Sequence, residues 1–263
     1  MNWRHEVSEA WLQARKDVLT ASDIKSLIPE WKRIKKMDKM PDVIMPMFAG
    51  IWCEKNTTTK PDPVSTSSAA RGHIFESYAV ETYNRHAKER KFHHWDDCII
   101  KNNGLGFSPD ATNVIQYVDD VECIVNVSED QLVYPDSKKI LPAPRKIMEI
   151  KSYLPDHHMK CLIKDKMDHD ELWQIAVAFA VLPKLEEAKL MFFCPDAPYP
   201  VGLFTYTRKE LKQKIDTCCE IASFYASQAI KLENLGLGYI EPVCSEEEIW
   251  LAEMADDINT RLR

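Results

Sequence analysis

Apolar and charged positions alternate in the stretch "KIMEIKSYLP", residues 146–155. Successive side chains of a strand point to opposite faces, so Met148 and Ile150 share one face while Glu149 and Lys151 share the other. The first face is typical of a buried core. The second holds a carboxylate and an ammonium that must be solvated, paired with each other or bound to a ligand. The pattern predicts a strand over residues 146–152.

The same periodicities predict the other elements and the fold class. Thr20 or Ser22 can cap a helix that starts near residue 21. The order of helices and strands predicts an α/β fold, in which a central mixed β-sheet is flanked by helices within one domain, 1–263. The predicted helices span residues 6–17, 21–28, 67–89, 168–182, about 208–234 and about 245–260, and the other predicted strands span 97–101, 111–118, 121–127, 188–195 and 201–207. A polar, proline-containing insertion is expected between residues 128 and 145.

Composition narrows the class of protein. Hydrophobic residues make up 45% and charged residues 29% of the 263 positions, which is ordinary for a soluble protein. No apolar run is long enough to span a membrane, and the polar N-terminus does not resemble a secretory signal. The eight cysteines include no C-x-x-C pair, so we expect reduced thiols in a cytoplasm rather than a zinc or iron–sulphur site.

The net charge of −7 weighs against a protein that coats nucleic acid non-specifically. It does not exclude an enzyme that acts on DNA, because the total charge says little about where the charges lie. The stretch "WKRIKKMDK" is locally basic. It is either a solvated face or a surface near DNA, and its candidate DNA-backbone residues are Lys32, Arg33, Lys35 and Lys36.

Three acids and one lysine form a candidate catalytic group. Asp110 follows a proline at the start of a predicted strand, and Glu76 lies inside the predicted helix 67–89. Carboxylates from adjacent strands can hold a divalent cation such as Mg²⁺ through oxygen ligands, with the Ile150 carbonyl as a further ligand. Lys151 could then position or deprotonate a water, or stabilise charge on a phosphate. This chemistry is phosphodiester hydrolysis.

Each of these residues also has a simpler interpretation. Asp110 could be a turn residue, Glu76 a solvated helix position, and Glu149 with Lys151 an ordinary pair on a sheet face. The order of the four residues and the apolar sequence around each acid favour the catalytic interpretation.

Five ordered motifs resemble the P-D…(D/E)-x-K nuclease superfamily, and specifically the lambda-exonuclease (YqaJ-like) family of phage recombination nucleases. The similarity covers about residues 11–195, and the C-terminal helices of about 208–260 add nothing to it. It implies a restriction-endonuclease-like core. The motifs are "WLQARKDVLTASDI", "AARGHIFESYA", "GFSPDA", "MEIKSYLP" and "ELWQIAVAFAVL".

The resemblance implies a role for each matched residue. Asp110 and Glu149 would bind the metal with the Ile150 carbonyl, and Lys151 would be the catalytic lysine. Glu76 would bind a second metal or orient the water, and Gln174 would line the site. Arg15 and Ser22 would bind a DNA 5′-phosphate. Without the resemblance, Arg15 would be a helix-surface partner of an acid, Glu9 or Asp17, and Ser22 a plain N-cap.

The function implied is a Mg²⁺-dependent exodeoxyribonuclease, with Mn²⁺ as a possible substitute. It would digest one strand of linear duplex DNA from a 5′-phosphorylated end, release mononucleotides and leave a 3′ overhang. The resemblance also implies a ring-shaped homotrimer, a single-strand annealing protein as partner, and a phage or prophage gene expressed in a bacterial cytoplasm. The rivals are a structure-specific endonuclease on the same core and a non-catalytic DNA-binding or scaffold protein.

Two further groups have open interpretations. Asp119 or Asp120 could assist the metal, although a solvated hairpin is the simpler expectation for that segment. His157 and His158 could ligate a metal or contact DNA, although a pair of partly exposed loop residues is the simpler expectation.

Overall fold

The computed structural model describes residues 14–15, 18–34, 51, 67–88, 91–95, 98–116, 124–128, 130–135 and 138–234. Their strands form two five-stranded sheets with helices packed against them, which confirms the predicted mixed α/β class. The chain divides into two compact units, Met1–Ala226 and Ser227–Arg263, and both sheets belong to the first. The prediction of a single domain over the whole chain stays a prediction, and the predicted helix 245–260 lies outside the described residues.

Four of the five helices in the described part agree with the predictions in place but not always in length, and most of the predicted helix 6–17 lies outside the described residues. The first runs on through Pro29, beyond the predicted end at residue 28, because Leu27, Ile28 and Trp31 bury one of its faces and packing maintains the helix. None of these helices combines the length and apolarity that a membrane crossing needs. They are α1 (Ala21–Ile34), α2 (Ser67–His86), α3 (Pro155–Ile163), α4 (Leu172–Val181) and α5 (Lys212–Asn234).

The sheet that carries the E-x-K strand has the order β1-β4-β8-β9-β10. Its central pair, β8 and β9, is parallel, and the neighbouring pairs are antiparallel. Strand β8 therefore has hydrogen-bonded neighbours on both sides and lies in the middle of the sheet. The strands are β1 (His93–His94), β4 (Ala111–Thr112), β8 (Lys146–Lys151), β9 (Glu187–Phe193) and β10 (Val201–Thr207).

The two faces of β8 meet different cores. Met148 and Ile150 pack with Ala79 and Val80 of α2 and with Met191 and Phe193 of β9 in a small cluster. Ile147 and the β9 residues Leu190 and Phe192 belong to the larger cluster, which also buries most of α4. The prediction that Met148 and Ile150 face a core is confirmed.

The second sheet has the order β3-β2-β5-β6-β7 and corrects the prediction for residues 128–145. Two short antiparallel strands lie within that segment, where a polar, proline-containing insertion was expected. Leu132 and Tyr134 are fully buried, so this segment contributes to the core. The strands are β2 (Ile99–Asn102), β3 (Leu105–Phe107), β5 (Ile124–Ser128), β6 (Gln131–Val133) and β7 (Ile140–Pro142).

The strand predicted over residues 111–118 is much shorter in the structure and ends at Thr112. The Thr112 hydroxyl accepts a hydrogen bond from the Val114 amide (3.1 Å) and donates to the Val114 carbonyl (2.6 Å). The Asn113 side chain accepts from the amides of Arg145 and Lys146 at 3.0 and 2.8 Å. Local side-chain bonds of this kind compete with the sheet ladder, and here they turn the chain.

The helix α3 was not predicted, and it corrects the interpretation of His158 as a partly exposed loop residue. His158 is fully buried, and its Nε2 lies 2.7 Å from the Tyr199 carbonyl oxygen. His157, one residue earlier in the same helix, is exposed and packs against the ring of Tyr153 at a centroid distance of 4.2 Å.

The C-terminus of α4 is capped by Arg208 from the loop after β10. The guanidinium donates to the carbonyl oxygens of Phe179 (2.6 Å) and Leu182 (2.7 Å), which are left without helical partners at this end. It also lies over the Phe179 ring at 5.4 Å. A cation at a helix C-terminus is favourable because of the helix dipole as well.

We predict that Arg208→Met destabilises the fold, because it removes both charge-assisted hydrogen bonds from partly buried carbonyls. The expected loss in the free energy of unfolding is about 2 kcal/mol, measured by urea denaturation. Lys209→Met removes a charge from the adjacent exposed position and is the matched control. Equal stability of the two variants would contradict the capping role.

Candidate active site

Asp110 is held at the centre of the sheet by main-chain hydrogen bonds. Its carbonyl oxygen accepts from the Trp95 amide at 3.0 Å, and its Oδ2 accepts from the Ile150 amide at 2.5 Å. Ala111 pairs with Met148 in the antiparallel β4–β8 ladder. Continuing that register by one residue sets Asp110 opposite Glu149.

Glu149 and Lys151 form an ion pair on one face of β8. Lys151 Nζ donates to Glu149 Oε1 at 2.5 Å, and the side chains are 24% and 8% exposed respectively. Of the three possibilities left open by the sequence, the structure thus shows pairing with each other. Water still reaches the lysine, so a ligand can reach it too.

Glu76 reaches the same region from α2. Its Oε2 lies 3.7 Å from Nε2 of His94, and its negative charge acts on Asp110. Burial raises the pKa of the Asp110 carboxyl well above its usual value, and the charges of Glu149 and Glu76 raise it further. Lys151 and the Ile150 amide oppose this rise without cancelling it. The three acids therefore crowd one another.

Lys151 stays an ammonium in this environment. Burial by itself lowers the pKa of Lys151, but the charges of Glu149 and Asp110 outweigh that effect and hold the pKa above its ordinary value. Three carboxyl groups thus share this region with one ammonium, an arrangement that a bound cation would favour.

The donor set fits a hard divalent cation that keeps several waters. Among the described residues, no group of three or more His, Cys, Asp or Glu side chains is placed to hold a metal ion. Mg²⁺ needs only one or two carboxylates with waters and substrate oxygens, and Asp110, Glu149 and the Ile150 carbonyl can supply such a set. The roles of these residues as ligands stay predictions.

A cleft of about 190 Å³ is lined both by Glu149 of the E-x-K strand and by residues from the start of the described chain. Gln174, from the first turn of α4, lines it, and its role in the site stays a prediction. Arg15 and Ser22 lie along it too, so the structure brings the candidate phosphate-binding residues and the E-x-K strand to one opening. The lining residues are Arg15, Thr20, Ala21, Ser22, Ile99, Gly106, Phe107, Ser108, Glu149 and Gln174.

The segment before α1 is tied to β3 by its backbone. The Leu19 amide donates to the Gly104 carbonyl (2.9 Å), and the Gly106 amide donates to the Leu19 carbonyl (3.0 Å). Gly106 has no side chain at this contact: a Cβ there would lie 2.6 Å from Val18 Cγ2 and 3.1 Å from Ile99 Cγ2. This close approach sets the distance between the segment and the strand.

Thr20, not Ser22, is the residue that begins α1. Its carbonyl accepts from the Ile24 amide (3.0 Å), and the Asp23 carboxylate accepts from the Thr20 amide (2.7 Å) and hydroxyl (2.9 Å). The interpretation of Ser22 as a plain N-cap is therefore wrong. The Thr20 hydroxyl contacts Arg15 Nη2 at 3.2 Å and Ser22 Oγ at 2.9 Å. It therefore lies between the two residues that are predicted to bind the DNA 5′-phosphate.

Several predicted residues cannot be placed in the site. The backbone of Lys32 and Arg33 lies in α1, and their side chains lie outside the described part of the chain, as do Lys35 and Lys36. The other candidates outside the described residues are Asp119 and Asp120, and also Glu9 and Asp17, the alternative partners of Arg15.

The sequence analysis missed Thr20, Ser108 and Gly106 as parts of the cleft. Thr20 and Ser108 lie inside motifs that were recognised, T-A-S and S-P-D, so position in a motif was the available signal. The need for glycine at position 106 depends on Val18, which is distant in sequence, and no local pattern indicates it.

Comparison with known proteins identifies a family and a shared fold. Residues 10–182 match the family model of the YqaJ-like viral recombinase domain. No curated protein sequence gives a significant match. The fold is similar to the crystal structure of LHK-Exo in complex with dAMP, with a TM-score of 0.56 and 17% identity over 87% of this chain and 96% of that one.

A second crystal structure of LHK-Exo, described as an alkaline exonuclease from Laribacter hongkongensis, gives a TM-score of 0.52 and 14% identity over 87% of this chain and 100% of that chain. At these identities the likeness concerns the fold alone, which this chain shares with LHK-Exo.

We predict that Gly106→Ala strains the contact between β3 and the segment before α1. The expected destabilisation is about 1–3 kcal/mol. Val18 is β-branched, so its restricted χ1 rotation leaves it few ways to avoid the new methyl group. Adding Val18→Ala removes the nearest atom, so the double variant should be more stable than the sum of the single changes predicts. Strictly additive free energies of unfolding in a urea series would contradict this packing.

Proposed function

The chain belongs to the family of YqaJ-like viral recombinase domains, and from that premise we propose that it is a metal-dependent 5′-to-3′ exodeoxyribonuclease. It would digest one strand of linear duplex DNA from a 5′-phosphorylated end. The observation that carries the proposal is that Arg15 and Ser22 line the same cleft as Glu149 and Gln174.

The proposed cofactor is Mg²⁺, with Mn²⁺ as a substitute. Asp110, Glu149 and the Ile150 carbonyl would hold it, and Glu76 would hold a second ion or orient the water. The mutual repulsion of these acids supports a bound cation, since a positive charge would favour their ionised forms. A bound metal of this kind polarises a phosphoryl oxygen and activates water.

Lys151 and Gln174 would donate hydrogen bonds to the scissile phosphate or to the attacking water. An ammonium has three donors, and only one of those on Lys151 is needed for the bond to Glu149. The others can orient a water or stabilise charge that develops on a phosphate oxygen. The Gln174 amide, on the same cleft, can donate to a phosphate or a water.

Arg15 and Ser22 would select the DNA end. A guanidinium forms paired hydrogen bonds with phosphate oxygens, and Ser22 adds a hydroxyl donor. Ser22 lies in the first turn of α1, where the amides of a helix start and the helix dipole favour an anion, and Arg15 reaches the same turn through its contact with the Thr20 hydroxyl. A terminal 5′-phosphate bound here would place a neighbouring phosphodiester toward Glu149, which would explain a preference for ends over internal sites.

The wider function follows from the same proposal. Hydrolysis from 5′ ends would release mononucleotides and leave a 3′ overhang, which a single-strand annealing protein would receive. We propose a ring-shaped homotrimer, because only the wall of its channel would need to be basic in a protein with a net charge of −7. The resemblance supports both the trimer and the annealing partner.

We predict that the wild-type protein degrades linear 5′-phosphorylated duplex DNA when Mg²⁺ is supplied and stops when the metal is chelated. Lys151→Ala should lower kcat by roughly 100- to 1,000-fold, because it removes a preorganised donor from the reacting phosphate. DNA affinity, measured by fluorescence anisotropy in Ca²⁺, should change little. Lys160→Ala, at an exposed lysine paired with Asp156, is the control and should remain active.

The same assay separates the rival functions. Equal cutting of closed circular and linear duplexes would favour the structure-specific endonuclease. DNA binding without cleavage under any divalent metal would favour the non-catalytic DNA-binding or scaffold protein. Either outcome would refute the exonuclease.

We also predict that Arg15→Gln removes the preference for phosphorylated ends. The ratio of kcat/KM for 5′-phosphate over 5′-hydroxyl duplexes should fall roughly 10- to 100-fold, the value of one or two charge-assisted hydrogen bonds. Arg85→Gln removes an exposed arginine that is paired with Glu81 on α2, and should leave the ratio unchanged. An unchanged ratio in the Arg15 variant would place the end-binding site elsewhere.

A further inference from the structure

A hydrogen bond joins the two elements that carry Lys151 and Gln174. The hydroxyl of Tyr153, two residues beyond Lys151, donates to Glu171 Oε1 at 2.6 Å. Glu171 immediately precedes α4, whose first turn carries Gln174. Nothing else in the proposed mechanism uses Tyr153 or Glu171.

The Tyr153 ring is held firmly on the side of the sheet. It stacks on Phe192 at a centroid distance of 6.1 Å and an interplanar angle of 29°. Phe192 is the residue paired with Lys151 in the parallel β8–β9 ladder. The position of the Tyr153 ring is therefore coupled to the end of β8 that carries Lys151.

Glu171 is held equally firmly to the helix. Its carbonyl accepts from the Gln174 amide at 3.0 Å and from the Ile175 amide at 3.4 Å. One residue thus binds Tyr153 through its side chain and the backbone of Gln174 through its main chain. A displacement of Glu171 would therefore displace Gln174 as well.

We propose that Tyr153 is a positioning residue, which sets the place of Gln174 relative to Lys151 through its hydrogen bond to Glu171. It acts through these two residues and does not contact the DNA. The inference rests on the proposed function in so far as Lys151 and Gln174 act on the phosphate. Burial, together with the hydrogen bond and charge of Glu171, raises the pKa of Tyr153 above its ordinary value, so the hydroxyl remains a donor in alkaline solution.

The test uses Tyr153→Phe, which removes only the hydroxyl. Hydrogen–deuterium exchange of the first turn of α4 should become faster, and kcat should fall about tenfold with KM for DNA nearly unchanged. Tyr206→Phe is the matched control, since the Tyr206 hydroxyl likewise donates a hydrogen bond, to the Lys166 carbonyl at 2.6 Å, on a ring that is fully buried. It should change neither measurement.

A double-mutant comparison separates positioning from general stability. Glu171→Leu should reproduce the effects of Tyr153→Phe, the combination of both should be no worse than either, and Glu171→Gln, which keeps an acceptor, should recover much of kcat. Exchange and kcat equal to those of the Tyr206 control, or additive effects in the double variant, would overturn the proposal. If the wild-type protein proves inactive on DNA, the proposed function fails, while the exchange measurement still decides whether Tyr153 fixes the helix.

Discussion

The hydrogen bond from the Ile150 amide to the Asp110 carboxylate is the constraint on which the candidate site depends. An amide of β8 would ordinarily bond to a neighbouring strand, and here it bonds to a side chain at the end of a very short one. This brings Asp110 beside Glu149 although burial and like charge oppose its ionisation. A partly buried carboxylate beside another acid is favourable only when donors or cations compensate for it. The amide supplies part of that compensation and Lys151 another part.

A second constraint is geometric and comes from the opposite end of the chain. The segment before α1 reaches the cleft only because it lies directly on β3, where Gly106 leaves room for Val18. Two backbone hydrogen bonds at Leu19 fix its register. The proposed end-binding group and the proposed hydrolytic group are therefore parts of separate elements that share a single cleft, and their separation is set by the packing of one side chain against one glycine.

The sequence predicted those parts of the site that depend on local periodicity. Alternation over "KIMEIK" is enough to place Glu149 and Lys151 on one face, and the motif order indicated Asp110 and Gln174. It could not predict the short β4, because Thr112 and Asn113 form side-chain hydrogen bonds there that outcompete the ladder. Nor could it show that His158 is buried, or that Tyr153 bonds to Glu171, since both facts depend on how distant elements pack.

The parallel pairing of β8 with β9 has a consequence for the order of synthesis. Parallel neighbours require a crossover connection, and here α3 and α4 lie between the two strands. On the ribosome, Glu149 and Lys151 of β8 emerge before their parallel partner β9, and Gln174 emerges between the two strands. Such long-range pairing forms slowly, because the entropy of closing the loop is lost before the contacts are gained. A nascent chain therefore contains every side chain of the candidate site long before it contains the site itself.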